Sequence, residues 1–211
     1  MEIRSFESLP STQLYLTEAI REGEITKATA VITRRQTDGI GSRANRWIGR
    51  EGNFFASVAM REEELPSDLP TASASIYFAF LMKEVLERYD SEVWVKWPND
   101  LYLGEGKIGG VVTHRLKDFF VAGLGVNLKK EKNFYDALST ELSPTELLDL
   151  YLARLAQRPD WKSIFRKYRL EFARSRRFAV HVGAERKSLE SAHLMEDGSL
   201  VIDQERIWGT R

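Results

Sequence analysis

Four segments of the chain carry residues of the kind that hold anions or polar rings. Lys96-Trp97-Pro98-Asn99-Asp100 places a lysine, an asparagine and an aspartate around a proline-fixed turn, the corner of a site. Gly104-Glu105-Gly106-Lys107-Ile108-Gly109 lets backbone approach a ligand closely and leaves Lys107 at the mouth of a hairpin. A flexible turn with a solvated lysine fits that segment equally well. Residues 36–52 mix Gly39, Gly41, Gly49 and Gly52 with Arg43, Arg46 and Arg50. Backbone N–H groups and guanidinium forks of this kind converge on phosphate oxygens, although a plain surface loop has the same composition. Gly123-Leu124-Gly125-Val126-Asn127 is a strand whose alternate glycines bare one face. Asn127 points to that face, where a flat ligand could lie.

Other chemistries are poorly supplied. The Gly104–Gly109 segment matches G-x-G-x-x-G, but a dinucleotide site needs a helix next, and Gly110-Val111-Val112-Thr113 is strand-like. There is no cysteine, so disulfides, thiol nucleophiles and thiolate metal sites are excluded. His114, His181 and His193 lie far apart, none in a metal-binding helical spacing, and no G-x-S-x-G elbow occurs. Lys+Arg and Asp+Glu are 31 each, and this zero balance argues against a general nucleic-acid or membrane-surface binder. The N-terminus lacks a signal-peptide pattern, and no apolar run approaches the ~20 residues that span a bilayer. A soluble protein of the reducing cytoplasm is expected, with no membrane partner. With 211 residues, 43% hydrophobic and 11% aromatic, the chain has material for one ordinary domain and a small appendage.

The elements that must position these segments follow from periodicity. A helix begins after Pro10-Ser11-Thr12, with Leu16, Ala19 and Ile20 on one face, and is taken as the first element. Residues 28–33 and 54–60 read as strands, and residues 69–89 as one long helix facing inward through Phe78, Met82, Val85, Leu86 and Tyr89. Residues 93–97, 101–103, 107–113 and 119–128 read as consecutive turn-linked strands. Ser143-Pro144-Thr145-Glu146 is a capping box opening a helix, and Asp160 caps another. Residues 178–182, 188–194 and 200–202 form a strand-rich tail that leans on the rest. The fold class expected is α+β: a mixed, largely antiparallel sheet flanked by helices over residues 1–177, with a small β-rich domain over 178–211.

Taken together these segments are far more specific than any one alone. Ser11-Thr12-Gln13, the run from Gln36 to Trp47, Gly52 to Ser57, Lys96 to Leu103, Gly106 to Thr113 and Gly123 to Leu128 resemble, in order and spacing, the biotin–protein ligase family. The resemblance is strong to residue 128 and holds in outline beyond. It implies a class II synthetase/lipoate-ligase-like catalytic domain with an SH3-like C-terminal domain. The form implied is monofunctional, without the N-terminal DNA-binding domain of bifunctional members and with no specific DNA target.

The implied reaction joins biotin to ATP as biotinyl-5′-AMP. The biotinyl group then passes to a lysine of biotin carboxyl carrier protein. Magnesium would arrive with ATP, with no fixed metal ligands in the protein. Carried over by motif, Ser11, Thr12, Gln13 and Gln36 match biotin-head contacts. Gly39, Ile40, Gly41, Ser42 and Arg43 match the loop that closes over biotin and phosphate. Gly109 and Gly110 match backbone beside biotin. Lys107 matches the lysine on the biotin carboxylate and α-phosphate, and with Arg43 forms the implied catalytic pair. Trp47, Lys96, Asn99 and Asn127 match the nucleotide side. The family loop commonly reads Gly-Arg-Gly-Arg-x-x-Arg, whereas Ile40, Ser42 and Asn45 stand at those arginine positions here. A homodimer through sheet-edge pairing, common in the family, stays open. The competing readings are a lipoate-type ligase of the same fold and a biotin-binding regulatory protein with weak turnover.

Overall fold

A computed structural model describes residues 1–41, 46–47, 51–129, 136–183 and 185–209. In chain order the elements are β1 (Glu2–Leu9), α1 (Thr12–Arg21), β2 (Thr29–Gln36), β3 (Gly39–Ile40), β4 (Arg46–Trp47) and β5 (Phe54–Arg61). There follow α2 (Ala74–Leu86), β6 (Val93–Lys96), β7 (Asp100–Leu103), β8 (Gly106–Leu116) and β9 (Phe119–Val126). Then come α3 (Pro144–Ala156), α4 (Trp161–Ser175), β10 (Ala179–Val182), β11 (Glu185–Ser188), β12 (His193–Leu194), β13 (Leu200–Ile202) and β14 (Glu205–Ile207). Seven strands make one sheet in the order β1-β2-β5-β9-β8-β7-β6, in which only the β1–β2 pair is parallel. This is the mixed, largely antiparallel α+β architecture expected, with small β-sheets at the C-terminal end.

Strand alternation divides the sheet into two unlike faces. One face carries Ala30, Ile32, Phe54, Ala56, Val58, Ala122, Leu124 and Val126 into the main core with α2, α3 and α4. Every residue of α2 is buried, since it is sandwiched between the sheet and the two later helices. Its two buried charges are paired outward. Lys83 meets Glu171 at 2.6 Å and Glu87 at 2.5 Å, and Glu84 meets Arg154 and Lys167 at 2.6 Å each. On the other face, Val31, Ala59, Phe119 and Val121 meet Leu16, Ala19 and Ile20 of α1 in a separate, smaller cluster. Further along that face the same strands carry Ser57, Gly123 and Gly125, and α1 has ended.

Several elements differ from the sequence reading. Residues 2–9 form an edge strand, β1, ahead of the helix expected as the first element; its Glu-Ile-Arg-Ser-Phe-Glu alternation is that of a half-exposed strand. The helix expected from residue 69 starts at Ala74 after a 3₁₀ turn at Thr71–Ser73 and ends at Leu86, leaving Tyr89 46% exposed. The strand expected over 188–194 is largely a turn between β11 and β12, in which Leu189 and Ala192 are buried as anchors. β14 adds a strand that short polar Glu205-Arg206 concealed.

The C-terminal strands share the main core through Val180, Leu189, Leu200, Ile202 and Ile207. Three side chains grip three successive carbonyls of their tight turn. Trp161 Nε1 donates to Glu196 O (2.8 Å), Ser73 Oγ to Asp197 O, and Trp97 Nε1 to Gly198 O (2.9 Å). Gly198 sits at φ +76°, and a Cβ there would lie 2.7 Å from Ser73 Oγ and 2.8 Å from Ile76 Cδ1. Gly198→Ala should therefore destabilise the protein by about 2 kcal/mol or more, read as a lower urea midpoint. An unchanged midpoint would show that the turn is not held as described.

Candidate active site

The pocket opens where α1 stops covering the sheet. Ser11 caps α1, accepting from Leu14 N at 3.3 Å, so the helix N-terminus brings Ser11, Thr12 and Gln13 to the edge of the bare face. The cross-strand rows below them are Val112–Gly123–Ser57 and Gly110–Gly125–Phe55. The cavity is about 470 Å³ including its open mouth, and Ser57, Gly110, Val112, Gly123 and Gly125 of these rows floor it. Around the rim stand Gln36, Ile40, Gly41, Trp47, Asn99, Asp100 and Lys107.

The glycines are required by what lies on them. A Cβ at Gly125 would come within 2.8 Å of the Trp47 indole, and one at Gly123 within 3.2 Å of the Gln13 amide. Gly39 likewise has Trp47 O at 2.5 Å and Gln36 Nε2 at 2.7 Å from its Cβ position. The bare strand face expected from the sequence is present, covered by Gln13 and Trp47. The indole Nε1 of Trp47 is buried without a hydrogen-bond partner among the described residues.

Hydrogen-bond accounting fixes what the pocket offers a ligand. Gln36 Oε1 accepts from Thr12 N (2.9 Å) and Thr12 Oγ1 (3.1 Å), which leaves the Gln36 NH₂ as the donor to spare. Thr12 has spent its proton on Gln36, so Ser57 Oγ, 2.8 Å away, donates to Thr12. Gln13 Nε2 donates to Val112 O (3.0 Å), leaving Oε1 as acceptor. The Ser11 hydroxyl, an acceptor from Leu14 N, donates to no group among the described residues and keeps its proton for a ligand. One end of the pocket thus presents two donors and one acceptor.

The other end is ionic. Asp100 stands between two lysines, with Oδ1 2.5 Å from Lys107 Nζ and Oδ2 3.2 Å from Lys96 Nζ. Strand pairing produces this, because Asp100 opens β7 opposite Lys96 of β6 and Gly110 of β8. Lys96 also lies over the Tyr102 and Phe178 rings, each at 5.6 Å. Burial pushes the Tyr102 hydroxyl up to about 12, so it stays protonated beside this cluster. Asn99 Nδ2 donates to Val111 O at 2.5 Å, pinning the turn after the cis Trp97–Pro98 peptide.

Of the residues singled out from the sequence, Ser11, Thr12, Gln13, Gln36, Ile40, Gly41, Trp47, Asn99, Lys107 and Gly110 line this one cavity. Gly39 supports it from behind. Lys96 lines the adjoining groove toward β10 and β14. Gly109 faces Leu101 and the Gly125 carbonyl. The Asn127 amide turns to Asp136 O at 3.2 Å, holding the segment after β9 instead of lining the cavity. Ser42 and Arg43 lie outside the described residues. Trp97, taken as part of the site corner, is 3% exposed and serves to hold the C-terminal turn. Asp100, placed at the site's corner by the sequence, is brought opposite Lys96 by strand pairing. Sequence reasoning gave no role to Ser57 or His114, which become visible only once strand register is known.

The family model described as biotin/lipoate A/B protein ligase family matches residues 5–130. The bifunctional ligase/repressor BirA of Escherichia coli (strain K12) is 34% identical over 127 residues, 57% of this chain and 38% of that protein. A biotin--[acetyl-CoA-carboxylase] ligase of Mycobacterium tuberculosis is 24% identical over 147 residues, 68% of this chain and 53% of that protein. The chain thus spans 38% and 53% of the lengths of these two curated relatives. Among solved structures, a biotin acetyl coenzyme A carboxylase synthetase from Helicobacter pylori, with bound biotinylated ATP, is 38% identical. It superposes with a TM-score of 0.93 over 98% of this chain and 99% of that one. The Aquifex aeolicus biotin protein ligase in complex with biotin and ATP shares the fold, at a TM-score of 0.78 and 21% identity over 98% of this chain and 94% of that one. On the extent of the family match and the near-complete overlap with the Helicobacter pylori enzyme, the chain belongs to the biotin/lipoate A/B protein ligase family.

Proposed function

We propose that the protein is an ATP-dependent, AMP-forming ligase that activates biotin and transfers it to a lysine of biotin carboxyl carrier protein. The observation that carries this is the pocket's inventory of spare groups. Donors on Ser11 and Gln36 suit the carbonyl of a cyclic urea, and the acceptor on Gln13 suits one of its N–H groups. Lipoate's dithiolane would leave all three unpaired, at roughly 1–3 kcal/mol for each buried group left unsatisfied. The ligands named for the Helicobacter pylori and Aquifex aeolicus structures, biotinylated ATP and biotin with ATP, support the same choice.

In the first step a biotin carboxylate oxygen bonds to the α-phosphorus of MgATP as the α–β P–O bond breaks and pyrophosphate leaves. In the second the acceptor's lysine amine bonds to the acyl carbon, the bond to AMP breaks, and the amine's proton passes to solvent. The enzyme's part is positioning and charge neutralisation, with no nucleophile of its own. Lys107 turns from Asp100 to the carboxylate and α-phosphate, and Lys96 then keeps the Asp100 charge compensated. Arg43, assigned by motif alone, adds a second positive charge. Ser42, likewise assigned by motif alone, goes with Gly39, Ile40 and Gly41 on the biotin side, with Gly109 and Gly110 beside biotin. Trp47 and Asn99 flank the nucleotide, Asn127 supports that side through its bond to Asp136 O, and magnesium travels on the ATP phosphates as part of the substrate. No described helix is long and apolar enough to cross a membrane. We place the reaction in the cytoplasm, with no DNA target for a chain of zero net charge. A homodimer would use one of the sheet edges, β1 or β6.

The test is biotin-dependent exchange of labelled pyrophosphate into ATP. Exchange with biotin is expected; exchange with lipoate alone, or biotin binding without exchange, would replace this reading with one of its rivals. Lys107→Ala should lower biotin or adenylate affinity about ten- to a hundredfold, with exchange falling at least as far. Gly125→Ala, by driving a methyl against the Trp47 indole, should weaken biotin binding roughly tenfold in calorimetry. Unaltered affinity would show that biotin does not use the slot beside Trp47.

A further inference from the structure

His114, on β8, takes no part in the reaction as proposed, yet it is bonded directly behind the pocket wall. It lies one row behind Val112 and Gly123 on the α1 face. Its Nδ1 is 3.2 Å from Gln13 Nε2 and its Nε2 is 3.1 Å from Thr17 Oγ1. Thr17 Oγ1 in turn donates to Gln13 O at 2.8 Å, and Gln13 Nε2 donates to Val112 O. Those two carbonyls can only accept, so they set the direction of every bond in the ring. Thr17 has spent its proton and can only accept from the imidazole. The Gln13 amide nitrogen can only donate. The imidazole is therefore neutral, with its hydrogen on Nε2 and its lone pair on Nδ1.

We propose that His114 is a positioning residue for the biotin pocket. As a neutral acceptor it locks the Gln13 amide with nitrogen toward β8 and Oε1 toward the ligand's ureido N–H. This rests on the biotin-ligase reading and adds to it a second group, beside the Val112 carbonyl, that holds Gln13's orientation. Facing the ring are Gln13, Thr17 and the positive Arg21 from α1, and Val121 from β9; on its own strand, the Arg115 guanidinium turns outward to Glu62. Burial first, and Arg21 second, hold the imidazole below its usual 6.5, so the neutral form persists as pH falls through that value. Below the lowered value, protonation sets an N–H of the ring against an N–H of Gln13. The bond from Gln13 Nε2 to Val112 O must then hold the amide against that repulsion, and the acceptor shown to the ligand is less firmly fixed.

The experiment measures biotin binding by calorimetry and biotin KM and kcat by pyrophosphate exchange, from pH 5 to 8, in four proteins. These are wild type, His114→Asn, His114→Leu and Thr17→Val. Side-chain ¹⁵N spectra of the free wild type report the tautomer. The expected tautomer is Nε2–H, with biotin binding weakening toward pH 5. Asn places Oδ1 where Nδ1 was, so it should bind within about threefold of wild type at pH 7.5 and lose the acid decline. Leu should raise KM for biotin about tenfold while leaving kcat at saturating biotin nearly unchanged, equivalent to ~1.4 kcal/mol of binding. Thr17→Val, which frees the far side of the ring, should weaken biotin two- to fivefold and carries the test if the Leu variant does not fold. Wild-type exchange with unchanged biotin affinity in Leu, or in Thr17→Val, would overturn the role of His114 alone. An Nδ1–H or cationic ring at pH 7.5 would do the same. Absence of biotin binding and exchange in the wild type would instead overturn the ligase reading, and the positioning role with it.

Discussion

The site depends on a mismatch of size between one helix and one sheet face. α1 has ten residues, about 15 Å, and cannot cover the whole second face of a seven-stranded sheet. Where it does cover, alternate residues of β2, β5 and β9 are Val31, Ala59, Phe119 and Val121, and they pack dry. Where it ends, the same positions become Ser57, Gly123 and Gly125. The large side chains stop when there is no helix left to bury them, and the strands' own period delivers polar groups and bare backbone to that patch. The opposite face runs apolar along its whole length because α2, α3 and α4 cover it. A rigid floor and a helix N-terminus at its rim follow from this one arrangement.

The polar groups over that floor form two chains of hydrogen bonds, each ending on something that cannot change its role. Gln36 and Thr12 are tied to Ser57; Gln13 is tied to β8 through Val112 O and His114. In an enclosed site an unpaired amide costs more than its partner bond returns, so such chains settle in one direction. That direction decides which atom each side chain shows to a ligand. Shape alone would admit any small bicyclic molecule; in the function proposed, bond direction is what selects a urea-like head.

The segments that bear the site were legible because they break the rules of ordinary strands. Lys96-Trp97-Pro98-Asn99-Asp100 stops a strand, Gly106 to Gly110 crowds backbone into a hairpin, and Gly123 and Gly125 empty a face. The capping box at Ser143 and the Asp160 cap were equally plain, and both helices start there. What stayed hidden depends on partners distant in sequence. β1 is a strand only because β2 lies beside it in parallel, a pairing no local turn announces. Residues 188–194 carry strand-like apolar content, yet Leu189 and Ala192 are spent on anchoring a turn. Asn127 had the right parity for the bare face, but its amide is used on Asp136 O. Parity fixes the side of a sheet; it does not fix which neighbour claims the side chain.

The ionic end of the pocket follows a different logic from the polar end. Asp100 offers its two oxygens to two lysines, so the cluster carries one net positive charge before any substrate enters. Lys107 keeps a side chain 34% exposed, whereas that of Lys96 is 11% exposed and stacked over aromatic rings. The two ammonium groups are therefore unequal: Lys96 is enclosed, and Lys107 is open to solvent. In the reaction proposed, an arriving anion competes with Asp100 for the open one, while the enclosed one keeps the aspartate from being stranded as an uncompensated charge. Exchange of one carboxylate for another at Lys107 leaves the charge balance of the protein's own groups intact. Such a substitution costs much less than bringing a lone anion against an unscreened aspartate. An aspartate facing an anionic substrate, which by itself would oppose binding, thus holds a lysine in place until the substrate takes over the pairing.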